Sequence, residues 1–229
     1  LMVSLFKKFS NKKILSEKFP QIPYKESIQK YGTDKPDLRN PLLIYEITNI
    51  FNRDDDKFEI FKKLVKTGSK VKAIITKQTK DKPRSFFDDI DKWAKEQGAS
   101  GLAYFTFEKN KNISGKGPVG KFFESGALSE IMKVCNAEVG DSIFLACGNN
   151  KEIDKILSIA RNKIAKDLNL IDENEFAFCW ITDYPMFEID ENNNNIVFSH
   201  NPFSMPQGDI LYLIQISEPT RRRGISYAV

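Results

Sequence analysis

His200 is the only histidine among 229 residues, and it stands in Ser199-His-Asn-Pro-Phe203. An imidazole can donate a hydrogen bond and titrates near neutrality, so it can hold a carboxylate or orient an amino-acid ligand. It follows a predicted strand and opens a Pro-punctuated loop, a position that commonly lines a cleft. Taken alone, a single histidine is usually an ordinary structural residue. Gly115-Lys-Gly117-Pro-Val-Gly120 matches G-x-G-x-x-G. A dinucleotide site needs those glycines directly after a strand and opening a helix. Here residues 108–114 intervene after Phe107, and Pro118 removes a backbone N–H that a phosphate would use. A flexible loop is expected instead. Asp54-Asp-Asp56 lacks calcium-loop spacing and reads as a solvated loop. Arg221-Arg-Arg223 could meet phosphate but reads as a solvated tail. Cys135, Cys147 and Cys179 form no C-x-x-C pair, and one histidine is too few to complete a zinc site. Buried reduced thiols are expected, which suits the cytosol.

The elements that must position these residues follow from periodicity. Residues 2–30 are helical in character, interrupted by Pro20 and Pro23, with a short helix over Tyr24 to Tyr31 stopped by Gly32. Gly32 and Pro36 bracket a polar turn that runs to Arg39. Val71 to Ile75 and Leu102 to Phe107 read as strands. Between them Phe86, Ile90, Trp93 and Ala94 recur at helical spacing, with Ser85 and Asp88 predicted as a capping box and Gly98 as the stop. Strand, helix, strand argues for a compact α/β unit. A helix over Ala127 to Val134 and a strand over Ser142 to Ala146 follow. Residues 150–168 carry the clearest stripe: Ile153, Ile156, Leu157, Ala160, Ile164 and Leu168, with Lys, Asp and Arg opposite. Phe176 to Thr182 reads as a strand buried on both faces. Asp190 to Asn195 is a polar turn, with Ile196 to Phe198 pairing back across it.

The hydrophobic share of 41%, with 18 Phe, is enough for a packed core in one large domain or two small ones. No apolar run approaches the roughly 18 residues that span a bilayer, so no membrane partner is expected. The net charge of +4 is spread along the chain and says little about nucleic acid.

Three segments together resemble the bacterial-type aspartyl-tRNA synthetases. The first runs from Phe19-Pro-Gln-Ile-Pro-Tyr to Asp37-Leu-Arg39. The second is Gly101-Leu-Ala-Tyr with Gly117-Pro-Val-Gly-Lys-Phe122. The third is Trp180-Ile-Thr-Asp-Tyr-Pro-Met-Phe-Glu188 with Ser199-His-Asn-Pro-Phe203. The resemblance implies an α+β fold: part of a class II antiparallel-sheet core, interrupted by an inserted α/β GAD domain. Residues 1–47 would lead into the insert, 48–141 would be the GAD domain, and 142–209 would return to the core. Residues 210–229 would be a divergent tail.

The implied activity is ATP-dependent ligation of L-aspartate to tRNA in the cytoplasm, through an aspartyl-adenylate. His200 falls on the family's aspartate-binding histidine, while Asn201 stands where a second histidine is common. ATP and magnesium are implied for the complete enzyme, with no ATP-binding, catalytic or metal residue carried over to this chain. The anticodon-binding barrel and the arginine-bearing class II motifs have no counterpart here, nor does the motif that forms the family's homodimer. The chain is therefore expected to be a piece of a split or frameshifted reading frame, inactive alone. Two other readings stand beside this one: a non-catalytic GAD module, and a GAD-bearing subunit of a tRNA-dependent amidotransferase. The third segment, which looks like synthetase core, disfavours the latter.

Overall fold

Apolar residues alternate through the longest strands and recur at helical spacing between them, and the resulting elements stack in three layers. The computed structural model describes residues 1–52, 59–109, 111–190 and 195–198. In chain order the elements are α1 (Met2–Phe9), β1 (Lys13–Ile14), β2 (Gln21–Pro23), α2 (Tyr24–Tyr31), β3 (Ile44–Glu46) and a 3-10 turn (Thr48–Asn52). Then come α3 (Glu59–Lys66), β4 (Lys70–Thr76), α4 (Arg84–Glu96), β5 (Ala103–Lys109), β6 (Ile113–Lys116) and α5 (Ser125–Val134). The last are β7 (Ser142–Gly148), α6 (Asn150–Asp167), β8 (Glu175–Phe176), β9 (Trp180–Thr182), β10 (Phe187–Ile189) and β11 (Ile196–Phe198).

The main sheet has five strands in the order β3-β4-β7-β5-β6, every neighbouring pair antiparallel. Both β4 and β5 run opposite to β7, so they run the same way as each other, and α4 is the crossover between them. This is a split β-α-β arrangement, with the later strand β7 slotted between the two earlier ones. The expected α/β unit is thus an α+β sheet with no adjacent parallel strands.

Both faces are covered. On one, Val71, Ala73 and Ile75 of β4 pack with Phe105, Phe107, Ile143 and Leu145 beneath Phe61, Val65, Leu128 and Ile131 of α3 and α5. On the other, Ile74, Tyr104, Phe144 and Ala146 meet Phe87, Ile90 and Ala94 of α4, and Ile153, Leu157, Ala160 and Ile164 of α6. Burying each such Phe, Ile or Leu contributes on the order of 1.5–3 kcal/mol against leaving it in water. The division expected at residues 47/48 and 141/142 coincides with no break in this sheet: β3 precedes the first position and β7 follows the second.

Several local expectations change. The N-terminal helix ends at Phe9, because Ser10 is already extended. The start of α4 is set by Pro83 in extended backbone, not by a Ser85 cap. Asp88 instead accepts from the Tyr104 hydroxyl at 2.6 Å and from Arg84 Nε at 3.2 Å. The glycine-rich segment is a tight backbone crossing rather than a flexible loop. A Cβ on Gly120 would lie 2.5 Å from the Gly115 carbonyl carbon, and Gly117 has φ +141 against the backbone of Phe105. Phe176 to Thr182 divides into β8 and β9, and Trp180 is 58% exposed.

The chain falls into two units, Leu1–Ile181 and a second beginning at Thr182. In the second, β10 and β11 form an antiparallel hairpin with Phe187 opposite Phe198 and Ile189 opposite Ile196.

Candidate functional site

Residues on either side of the five-stranded sheet come together where the chain leads into it and leaves it. β1 lies parallel to β8, with Lys13 N–H on the Asn174 carbonyl and Leu15 N–H on the Phe176 carbonyl, both at 2.9 Å. β2 pairs with β9, and Trp180 N–H donates to the Pro20 carbonyl at 2.9 Å. Phe6 sits edge-on against Phe176 and Phe178 with ring centroids 4.9 and 4.7 Å away, and Phe19 reaches Phe178 at 5.1 Å. Strands this short hold few backbone bonds, so the aromatic contacts supply much of the cohesion.

The turn between α2 and β3 is fastened to α6. Gly32 ends α2 in the left-handed region, φ +72, and a Cβ there would lie 2.4 Å from the Asp154 carbonyl. Arg161 is 1% exposed. Its guanidinium donates to the carbonyls of Leu42 (2.5 Å), Asn40 (2.7 Å) and Asp37 (2.9 Å), and it lies 4.9 Å from the centre of the Tyr31 ring. Burial lowers its pKa to about 10, and these three carbonyls replace the water it has lost. Asn40 answers by donating from Nδ2 to the Arg161 carbonyl and the Asn162 side chain. Beside it Asp37 accepts two bonds from Arg39, at 3.0 and 2.7 Å. Those hydrogen bonds hold the Asp37 carboxyl below its usual range. Arg39 also reaches the Glu175 carbonyl at 3.5 Å.

A second buried ion pair lies one layer deeper. Lys72 stands on the β4 face that carries Ile74, and its ammonium meets Asp154 of α6 at 2.5 Å, both side chains being under one-tenth exposed. Burial pushes the Asp154 carboxyl up, and the Lys72 ammonium opposes that rise.

These three residues, Lys72, Asp154 and Arg161, were hidden in the sequence by their types. Arg161 follows Leu157 by four residues and precedes Ile164 by three, which puts it at the edge of the apolar stripe and not opposite it.

What the arrangement can do chemically is limited. The described arginines are Arg39, Arg84 and Arg161; Arg39 and Arg161 are committed to protein carboxylates or carbonyls, while the exposed Arg84 gives its Nε to Asp88. Burial raises the thiol pKa of Cys135 to about 12, and those of Cys147 and Cys179 also rise, so none is a ready nucleophile. Among the described residues no three His, Cys, Asp or Glu side chains gather as a metal-binding group. A cleft of about 330 Å³ beside β3 is lined by Lys30, Glu46 and Lys72, whose charges are already paired to Glu26, Lys70 and Asp154. Among the described residues no helix is long and apolar enough to cross a membrane. His200, with Arg221 to Arg223 and Asp54 to Asp56, lies outside the described residues. The hairpin strand β11 ends two positions before His200.

The family model for the GAD domain matches residues 61–157. That span runs from α3 into α6 and takes in the four strands from β4 to β7. An aspartate--tRNA(Asp/Asn) ligase of Pelagibacter ubique is 71% identical over 210 residues, covering 92% of this chain and 35% of that protein. The chain is similar to bacterial aspartate–tRNA ligases, and the GAD match lies within that likeness. Ligases of the same name from Ehrlichia chaffeensis and Beijerinckia indica are 44% identical over 210 residues and 41% identical over 225. They cover 92% and 98% of this chain, and 35% and 38% of their own length is matched. The chain thus spans about a third of the curated relatives it matches. The likeness takes in the GAD domain together with the segments that flank it, as the resemblance implied.

Proposed function

We propose that this chain is the GAD-bearing stretch of a cytoplasmic aspartate–tRNA ligase, with a partial class II core flanking the insert at β2 and β9. One observation carries the reading: 71% identity to such a ligase across 210 residues, on both sides of the GAD domain and not only within it. An isolated GAD module, or a GAD-bearing amidotransferase subunit, would have no reason to keep the flanks.

In the complete ligase the aspartate α-carboxylate attacks the α-phosphorus of ATP and expels pyrophosphate. A terminal ribose hydroxyl of tRNA then attacks the activated carbonyl and expels AMP. Its relatives are aspartate--tRNA(Asp/Asn) ligases, and by that likeness the complete enzyme charges both aspartate and asparagine tRNAs. His200 contributes a hydrogen-bond donor to the bound L-aspartate. The arginine-bearing class II motifs of the complete enzyme supply the cations that grip ATP phosphates, so this chain alone does not activate aspartate.

The test is steady-state kinetics on a full-length ligase containing this stretch. His200→Ala raises the KM for aspartate about tenfold, the loss of one hydrogen bond to a charged group, and leaves the KM for ATP in place. An unchanged aspartate KM refutes the assignment of His200.

A further inference from the structure

Arg161 belongs to α6, just past the matched GAD span, yet every hydrogen bond of its guanidinium goes to the turn between α2 and β3. We propose that Arg161 is a positioning residue: through α2 it sets the strand pair β2–β9 relative to the GAD sheet, and so supports the aspartate-binding side of the ligase. This rests on the ligase reading given above.

The path is short and made of stiff parts. The guanidinium fastens Asp37, Asn40 and Leu42 and covers the Tyr31 ring, the last residue of α2. Gly32 presses the end of α2 onto the Asp154 carbonyl with no room for a side chain. Ser27, fully buried in the middle of α2, donates to the Thr33 carbonyl at 2.7 Å and ties the helix to its own turn. At the other end α2 passes into β2 with no linker, since Pro23 ends the strand and Tyr24 begins the helix. An eight-residue helix is a rod of about 12 Å. Clamping one end therefore fixes where the other delivers the Pro20 carbonyl, the acceptor for Trp180 N–H. Trp180 opens the segment Trp180-Ile-Thr-Asp-Tyr-Pro that leads toward His200. Arg39 makes a second tie, from the same turn to β8.

The experiment pairs hydrogen exchange on the full-length ligase with its aspartate kinetics, for Arg161→Met and Arg161→Lys. Arg161→Met lowers protection of the Trp180 and Leu15 amides at least tenfold, while the amides of β4 and β7 keep theirs. It also raises the KM for aspartate several-fold and leaves the KM for ATP unmoved. Arg161→Lys, which keeps the charge but can reach fewer carbonyls, gives a smaller change of the same sign and serves if the Met variant fails to fold. Equal loss of protection in β4 and β7 in both variants makes Arg161 a general stabiliser and overturns the inference. So does an active enzyme whose aspartate KM does not respond. If the unaltered full-length protein shows no aspartate-dependent exchange of pyrophosphate, the ligase reading fails. The Trp180 protection then decides the positioning role by itself.

Discussion

The Arg161 Nε donates to the Leu42 carbonyl at 2.5 Å across 119 residues of sequence. That bond joins α6, the last helix covering the sheet, to the residues just before β3, and both ends lie outside the matched GAD span of residues 61–157. A buried cation thus holds the lead-in and the exit of the five-stranded sheet close together. Around it no buried side-chain nitrogen or oxygen among the described residues lacks a partner.

The buried pair Lys72–Asp154 predicts strong asymmetry between single and double substitution. Lys72→Met leaves a carboxylate in an apolar layer and costs about 3–5 kcal/mol in urea denaturation, while Lys72→Met with Asp154→Leu recovers most of it. The single variant also acquires a pH dependence of known sign. A carboxyl whose folded pKa is raised binds its proton more readily in the native state, so stability falls as pH rises through that window. The deficit of Lys72→Met is therefore smaller in mild acid than at neutral pH. A double variant no better than the single would refute the pairing.

Two glycines predict opposite signs. Gly32→Ala forces a side chain into the left-handed region and against the Asp154 carbonyl, and lowers stability by about 2 kcal/mol or more. Gly126, second residue of α5, faces open space, and Gly126→Ala raises stability by about 0.5–1 kcal/mol. Thermal unfolding of both variants checks the pair together. A stabilising Gly32→Ala would mean that α2 and α6 are not in contact.

Asp37 supplies an acid limb. Its carboxyl is held low chiefly by the Arg39 side chain, so its contribution is present above the unfolded value and is lost as pH falls through the folded one. Replacing Asp37 with Asn should cost stability at neutral pH, and the gap between variant and parent should narrow below about pH 4. Melting temperatures across that range measure it. A gap that stays constant with pH would contradict the role of the charge.

Much of the fold was legible in the residues. The stripe at Ile153, Leu157, Ala160 and Ile164 marks α6, and Tyr24 to Tyr31 with Gly32 marks α2 to the residue, because amphipathic spacing and a left-handed stop are local properties. Tertiary geometry was not legible. A single run of apolar residues at 176–182 cannot disclose that two different partners, β1 and β2, divide it into two short strands. Nor can a charged residue at the edge of an apolar stripe announce that it is buried, since Lys72 and Arg161 depend on partners 82 and 119 positions away. The glycine-rich segment reads in the sequence as a flexible loop without a nucleotide. Its stiffness comes from the contact of Gly115 with Gly120, which spacing alone does not reveal.

That segment yields its own prediction. Gly120→Ala drives a methyl into the Gly115 backbone and should destabilise the domain. Neither ATP nor a dinucleotide should raise the melting temperature of the chain, since a ligand specific to the folded state would do so by mass action. A dose-dependent rise with either, abolished by Gly120→Ala, would restore a nucleotide role to the loop.

The most direct test is aspartate-dependent exchange of pyrophosphate into ATP by the purified 229-residue chain, alone and combined with the complementary portion of the ligase. No exchange by the chain alone and exchange by the combination is the predicted result. Exchange by the chain alone would contradict the account, because the phosphate-gripping cations would then lie within this stretch.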